Sequence, residues 1–414
     1  MNWRRMMTVS LFMSGIMLLG AVASTMAADS ERTDPAPPPP GMVTVPAGEF
    51  QMGDSFNEGN ADELPVHAVY LDTYYIDIHE VTNEQYCAFL NSAYAQGLIE
   101  VPANNMVYQA GGAVRYCRTE NSVDPDGWPP QNFMRFENGT FTVSNGRENH
   151  PVTQVSWYGA VAYTNWRSEQ DGRTPCYDLT TWMCDFSADG YRLPTEAEWE
   201  KAAGWDPELQ RHFRYGEHSD GFNAANVPHT RANFRWSADP YEFYSPATTP
   251  VGYYDGSDHA GTFQTEDAKS YYGCRDMTGN VWEWCNDWYS ADYYSWSPYD
   301  NPTGPAQGTS RTFRGGSWAF PAHWGRTARR GLALPTNIQS GGFRCVTRYS
   351  PPPPSCPGDI NADGVVDLDD FIILAGNFGS GPGSTLSQGD LNDDGFVDLD
   401  DFIILAGNFG STCN

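Results

Sequence analysis

The sequence predicts a mixed α+β chain, rich in irregular structure, that ends in a small helical module. Three observations carry this expectation. First, of 414 residues 41 are Gly and 30 are Pro, and 14% are aromatic, a composition suited to a loop-rich fold held by aromatic packing rather than by long helices. Second, short alternating stretches are interleaved with three capped helical stretches before residue 350. Third, an acidic loop followed by an apolar helical run occurs twice after residue 350, at an offset of 31 residues.

The formal net charge is −28. Binding to nucleic acid phosphates needs basic patches, so nucleic acid is excluded as a partner class. Arg4 and Arg5 precede an apolar run from Met6 to about Val22, and small residues follow at Ala27 and Ala28. Residues 1–28 therefore read as a secretory signal peptide. No Cys stands directly after the apolar run, as a lipoprotein anchor would need, and no further stretch is long and apolar enough to span a bilayer. The mature protein is expected outside the cytoplasm, secreted to the extracellular space or the cell envelope, with no membrane span after signal cleavage. Nine cysteines are present. Outside the cytoplasm some should pair, and the odd count leaves at least one unpaired.

Residues 29–41 form a Pro-rich spacer. Residues 42–54 alternate and read as a hairpin or paired strands, and residues 67–83 as another strand pair. Thr82 and Gln85 make a capping box for a first helix, whose apolar face would hold Tyr86, Phe89, Leu90 and Ala93. Ser156 caps a second helix running to about Ser168, with Tyr163 and Trp166 among its core residues. Thr195 and Glu198 box the start of a third, just after Pro194.

The stretch Asp276-Met-Thr-Gly-Asn-Val-Trp-Glu-Trp284 stands out. In extended chain, Trp282 and Trp284 share one face and Glu283 points to the other. Asp276 and Glu283 offer carboxylates, and the turn at Thr278-Gly279-Asn280 exposes carbonyls. Such oxygens suit a hard cation such as calcium. An aromatic core strand flanked by solvated acids is the plainer alternative.

Six blocks carry a resemblance: residues 45–53, 79–91, 150–166, 190–204, 276–284, and 313–318 closing with 341–345. Over residues 42–349 the chain resembles the formylglycine-generating enzyme family, also called sulfatase-modifying factors. The resemblance implies a variant C-type-lectin-like fold. It implies one calcium on the Asp276 and Glu283 side chains and the Gly279 and Val281 carbonyls. A second would use Asn233, the Phe234 carbonyl, Asp239 and the Tyr241 carbonyl. The family's oxidases bind Cu(I) between two cysteines after a GGS turn, soft thiolates on a soft ion. The matching positions here are Phe320 and Gly325, and Ser340 replaces a family Asn. Copper is therefore not expected. The family's disulfide partner for Cys345 falls at Thr164, which leaves Cys345 as a candidate odd thiol. No HxxxHxE pattern supports the iron-dependent branch of the superfamily. The remaining candidates for a ligand pocket are Ser317, Trp318, Phe320, His323, Trp324 and Arg326, joined by Arg329 and Arg330. Aromatic and cationic groups together suit a stacked sugar or an anion, so a glycan or peptide ligand is expected.

Residues 350–356 are a second Pro-rich linker, and 357–414 hold the repeats. In the first loop Asp359, Asn361, Asp363, the Val365 carbonyl, Asp367 and Asp370 take the ligand positions of a calcium loop, with Gly364 at the sharp turn. Asp390, Asn392, Asp394, the Phe396 carbonyl, Asp398 and Asp401 do so in the second, with Gly395. From Pro357 on there are eleven Asp and no Lys, Arg or Glu, so folding should depend on calcium. Asp at the last ligand position, the missing entry helix and the tandem arrangement resemble type I dockerins. Cys356 and Cys413 bracket the pair and could clamp its ends. Leu368-Asp369 and Leu399-Asp400 stand where dockerins commonly carry Ser or Thr. The expected partner is thus a cohesin-like or other envelope docking protein. Taken together, the sequence points to a binding or accessory module in a polysaccharide-degrading assembly or the cell envelope. The alternative is an oxidoreductase that makes formylglycine in sulfatases, or performs another oxidation, with non-standard ligands.

Overall fold

A computed structural model describes residues 37–112, 114–122, 132–220, 228–242, 247–259, 261, 263–338, 341–349, 357–361, 363–381, 384–392 and 396–412. The proposed signal peptide, most of the first spacer, the second linker, Ser340, Asp394, Gly395, Cys356 and Cys413 lie outside the described residues. Residues Pro38–Ser350 form one unit, and Pro351–Asn414 belong to another. Among the described residues no helix is long and apolar enough to cross a membrane.

The first unit begins with a long two-stranded ribbon. Met42–Val45 pairs antiparallel with Tyr74–Asp77, and Gly48–Met52 with His67–Leu71. Both pairings keep one register: Met42 opposes Asp77, Val45 opposes Tyr74, Gly48 opposes Leu71 and Met52 opposes His67. Residues 42–54, expected as a hairpin or paired strands, and 67–83, expected as another strand pair, therefore pair with each other rather than each within itself. The ladder breaks at Pro46, which has no N–H to donate. Ala47 N instead donates to the Thr73 hydroxyl at 3.0 Å. Pro46 is thus a gap in a continuing ribbon.

The three helices start where their caps predict. Thr82 and Gln85 box Asn83–Ala95, Ser156 caps Trp157–Gln170, and Thr195 and Glu198 box Glu196–Gly204. Tyr86, Phe89, Leu90 and Ala93 are buried on the first helix. The ribbon strand Tyr74–Asp77 continues into a sheet with Val346–Arg348 and Tyr191–Arg192, all antiparallel. A second sheet orders Gly331–Ala333, Arg311–Arg314, Trp282–Trp288 and Gly341–Gly342, the last pair parallel.

Trp282–Trp288 separates two cores. Trp282 and Trp284 pack on the side of the first two helices, with Tyr86, Trp157, Phe313 and Phe343. Trp199, Cys285 and the ribbon residues Val45, Phe50 and Ile76 make the other core. Indole N–H groups tie the layers: Trp284 to Val155 O at 2.9 Å, Trp157 to Cys285 O at 3.0 Å, and Trp199 to Glu283 Oε2 at 2.9 Å. Glu283 thus faces away from its neighbouring tryptophans, as strand alternation requires, but it is fully buried rather than solvated.

In the C-terminal unit, Asp367 caps the helix Leu368–Asn377 and Asp398 caps its counterpart Leu399–Asn408. Ile360, Val366 and Leu374 pack with Leu391, Val397 and Leu405. Each loop is laced to the end of the other repeat's helix. Gly410 N donates to Val366 O at 2.8 Å, and Gly379 N to Val397 O at 2.7 Å.

Candidate functional site

Two glycine turns meet at the centre of the first unit. Gly315 and Gly316 lie at φ 88° and 76°, and Gly279 at φ 83°, backbone that favours glycine. Gly279 N donates to Gly315 O at 2.7 Å, and Trp318 N to Asn280 O at 3.0 Å. A Cβ on Gly279 would fall 1.9 Å from Asn233 O, so no other residue fits there. From this clasp the chain turns through Ser317 into the short helix Ala322–Gly325.

Phe320 packs against Trp282 and Trp324, with ring centroids 5.8 and 5.0 Å away. Neither Phe320 nor Gly325 offers a metal donor atom. Gly325 also has little room: a Cβ would lie 2.8 Å from Thr278 Cγ2 and 3.1 Å from Gly315 O. The side chains present do not fit a two-thiolate copper site. All seven described cysteines, Cys87, Cys117, Cys176, Cys184, Cys274, Cys285 and Cys345, are unpaired thiols. The disulfides expected outside the cytoplasm are not formed among them. Burial pushes Cys87, Cys176 and Cys274 up to about 11, which keeps them protonated and unreactive near neutrality. Cys345, the candidate odd thiol, is completely buried.

The structure divides the expected ligand pocket in two. Trp324, His323, Arg326 and Arg329 line a pocket of about 300 Å³ with Glu58 and Asn60. Arg326 makes a two-pronged pair with fully buried Glu63, at 2.8 and 2.9 Å, and Arg329 stacks over Trp324 at 4.4 Å. Burial, then the charges of Arg326 and Arg329, hold the His323 imidazole below its ordinary pKa. Trp318 instead lines a pocket of about 470 Å³ with Asn233, Arg235, Trp236, Glu242 and Ala319. Ser317 is buried and accepts from Ala319 N at 3.3 Å. Arg330 lines neither pocket, because Glu196 binds its guanidinium twice at 2.8 Å in the interior. The spacing of these residues could not reveal that the chain folds back between the two tryptophans.

At the first expected calcium site, Glu283 is already engaged. Arg344 holds both its oxygens at 2.7 Å, and Trp199 donates to one of them. Asp276 accepts from Gly252 N at 2.5 Å. A residue passed over in the sequence stands beside it. Glu80 is 1% exposed, neither of its oxygens has a hydrogen-bond partner, and burial followed by the charge of Asp276 raises it well above the usual carboxylate range. A buried carboxyl without a hydrogen-bond partner is costly, and carboxylate oxygens are the donors that a hard cation takes. In the sequence Glu80 is one of three polar residues in Ile76-Asp77-Ile78-His79-Glu80-Val81, and nothing local marks it as buried.

At the second, Asn233 donates to Ala247 O at 2.7 Å. Asp239 is buried and accepts from the Ser237 hydroxyl and from Tyr241 N at 2.5 and 2.7 Å. Burial raises its pKa. Glu217 was also missed. Both its oxygens lack a partner, and burial pushes it up to about 7.

In the C-terminal loops the acids turn mostly to backbone N–H groups. Asp359 accepts from Asp363 N and Gly364 N at 3.1 and 3.0 Å, and Asp363 from Val365 N at 3.0 Å. Asn361 Nδ2 donates to Asp363 at 3.0 Å. Asp370 is fully buried and accepts from Ile360 N at 2.7 Å and Asp367 N at 2.8 Å. Asp401 repeats this with Leu391 N and Asp398 N at 2.6 and 2.8 Å. Among the described residues, no three His, Cys, Asp or Glu side chains stand together as a metal-holding group.

Comparison with known proteins places these features. A family model described as "Sulfatase-modifying factor enzyme 1-like domain" matches residues 27–349. The formylglycine-generating enzyme of Streptomyces coelicolor is 32% identical over 351 residues, covering 78% of this chain and 96% of that protein. "Serine/threonine-protein kinase pkn1" of Chlamydia pneumoniae is also 32% identical, over 77% of this chain but only 40% of its own length. A solved type II cohesin-dockerin domain from Bacteroides cellolosolvens matches 14% of this chain and 87% of its own, at 46% identity and a TM-score of 0.12.

Proposed function

The chain belongs to the sulfatase-modifying factor enzyme 1-like family, and from that premise we propose that its large domain is a secreted binding or accessory module rather than a copper oxidase. The observation that carries this reading is the aromatic and glycine filling at Phe320 and Gly325. An aromatic ring against Trp282 and Trp324, and a backbone with little space for a side chain, stand where two thiolates would be needed. The pockets flanking this segment offer indoles, guanidinium groups and carboxylates instead, which is recognition chemistry.

In this reading the C-terminal repeats are a dockerin-like calcium module that tethers the domain to a cohesin-like or other envelope docking protein. Their matched loops, their shared core and the exposed Leu368, Ile372, Leu399 and Ile403 support it. The family calcium positions, joined by Glu80, would hold further calcium. A place in a polysaccharide-degrading assembly or the cell envelope follows from tethering outside the cytoplasm.

A second reading, an oxidase with non-standard ligands, is favoured by the 32% identity to a formylglycine-generating enzyme over 96% of its length. One experiment separates the two. A peptide containing the sulfatase sequence CxPxR is incubated with the full chain, Cu(I), oxygen and reductant, beside a two-cysteine homologue. Mass spectrometry showing formylglycine with both proteins would overturn the binding-module reading. Conversion by the homologue alone supports it.

A further inference from the structure

Trp236 is the most exposed large apolar side chain among the described residues, at 72%. It also sits at φ 69°, a region that bulky residues rarely adopt. An indole held in solvent on strained backbone is the kind of outlier that marks a site. The strain is fixed by its neighbours: Arg235 N donates to Phe320 O at 2.9 Å, and Ser237 N to Phe234 O at 3.0 Å. Glu242 braces the following turn by accepting from Ala238 N at 3.0 Å.

The indole stands at the rim of the pocket of about 470 Å³, within the usual range for small-molecule sites. Trp318, 8% exposed, and Ala319 supply its apolar wall. Asn233, Glu242 and Arg235 supply polar groups. The Arg235 guanidinium lies 5.6 Å from the Trp236 ring centre, and among the described residues it forms no ion pair. An open indole ringed by planar polar side chains matches a pyranose, which has one face of C–H bonds and an edge of hydroxyls. With a net charge of −28, the chain repels polyanions at long range, which selects against sulfated or uronic acid chains.

We propose that the pocket between Trp236 and Trp318 binds a neutral pyranose saccharide, stacked on the Trp236 indole and hydrogen-bonded through its hydroxyls by Arg235 and Glu242. This deepens the binding-module reading and rests on it. The test uses the full chain with calcium present. Tryptophan fluorescence is titrated with cellohexaose, xylohexaose, mannohexaose and chitohexaose, beside sulfated carrageenan and polygalacturonate oligosaccharides. Trp236→Ala and Arg235→Ala alter exposed groups that the core does not need, and Trp296→Ala, also exposed, is the control. The expected result is a saturable response to at least one neutral hexasaccharide. Its affinity should fall by about tenfold or more in the first two variants and stay unchanged in the third. Three results would overturn the proposal: no saturable response to any neutral sugar, binding confined to the charged ones, or wild-type affinity in Trp236→Ala. If the CxPxR peptide is also left unconverted, only this proposal fails. Conversion of the peptide fails the wider reading.

Discussion

Arg344 clasps Glu283 with two nitrogens, Nε to Oε2 and Nη2 to Oε1 at 2.7 Å each, and neither side chain meets solvent. The same guanidinium donates to the Asp77, Ile78 and Arg275 carbonyls at 2.9–3.0 Å. It thereby joins the central strand to the end of the ribbon. Removing one partner of a buried pair strands the other, at a cost of about 3–5 kcal/mol. Arg344→Met should show that loss in urea unfolding, and Arg344→Met/Glu283→Gln should recover part of it. Equal losses in the single and double variants would mean that the carbonyl contacts, not the ion pair, dominate.

Gly325 sets the limit on restoring thiols to the site. Gly325→Cys drives its Cβ into Thr278 Cγ2, and overpacking of this kind costs about 1–3 kcal/mol. Thr278→Ser removes that methyl group and keeps the hydroxyl that accepts from Gly216 N at 2.9 Å. Thermal midpoints should fall for Gly325→Cys and partly return in the pair. A Gly325→Cys protein as stable as wild type would show that the turn yields freely.

Glu217 predicts a pH signature. Its folded pKa of about 7 stands above the ordinary 4.5. Within that window the native state keeps a proton that the unfolded chain releases, so its contribution declines as pH rises, by about 3 kcal/mol in all. Glu217→Gln should match wild type near pH 4 and exceed it at pH 8. Asp287, raised to about 8, is common to both proteins and cancels in the comparison. Parallel stability curves from pH 4 to pH 8 would refute this assignment.

Calcium should act unequally on the two units. Calorimetry of the full chain is expected to resolve a transition that EGTA lowers strongly, arising from the repeats, since ligand binding to the folded form raises its stability by mass action. Asp359→Ala, in a loop with no basic residue nearby in sequence, should abolish most of that shift. A calcium-insensitive scan would remove the case for a calcium module.

What was legible in the sequence was local. A cap and its return partner lie three residues apart, so Thr82 with Gln85 and Thr195 with Glu198 declared their helices. Strand alternation put Glu283 opposite its flanking tryptophans. What failed depended on distant chain. Residues 42–52 pair with 67–77 because a ribbon continues past Pro46, and no local pattern distinguishes that from two hairpins. Trp318 and Trp324 are six residues apart, yet they line different pockets because remote segments, around Asn233 and around Asn60, close over each. Glu80 and Glu217 look like ordinary surface acids until the rest of the fold buries them.

The sheet that extends the ribbon has a consequence for biosynthesis. Val346–Arg348 inserts between Tyr74–Asp77 and Tyr191–Arg192, so the last strand of this unit joins two that are made well before it. Contacts of such sequence separation form late, and the incomplete domain keeps an open sheet edge until they do. The sheet can therefore close only once Arg348 has been synthesised. A nonsense codon even a few residues earlier would deny the sheet its middle strand.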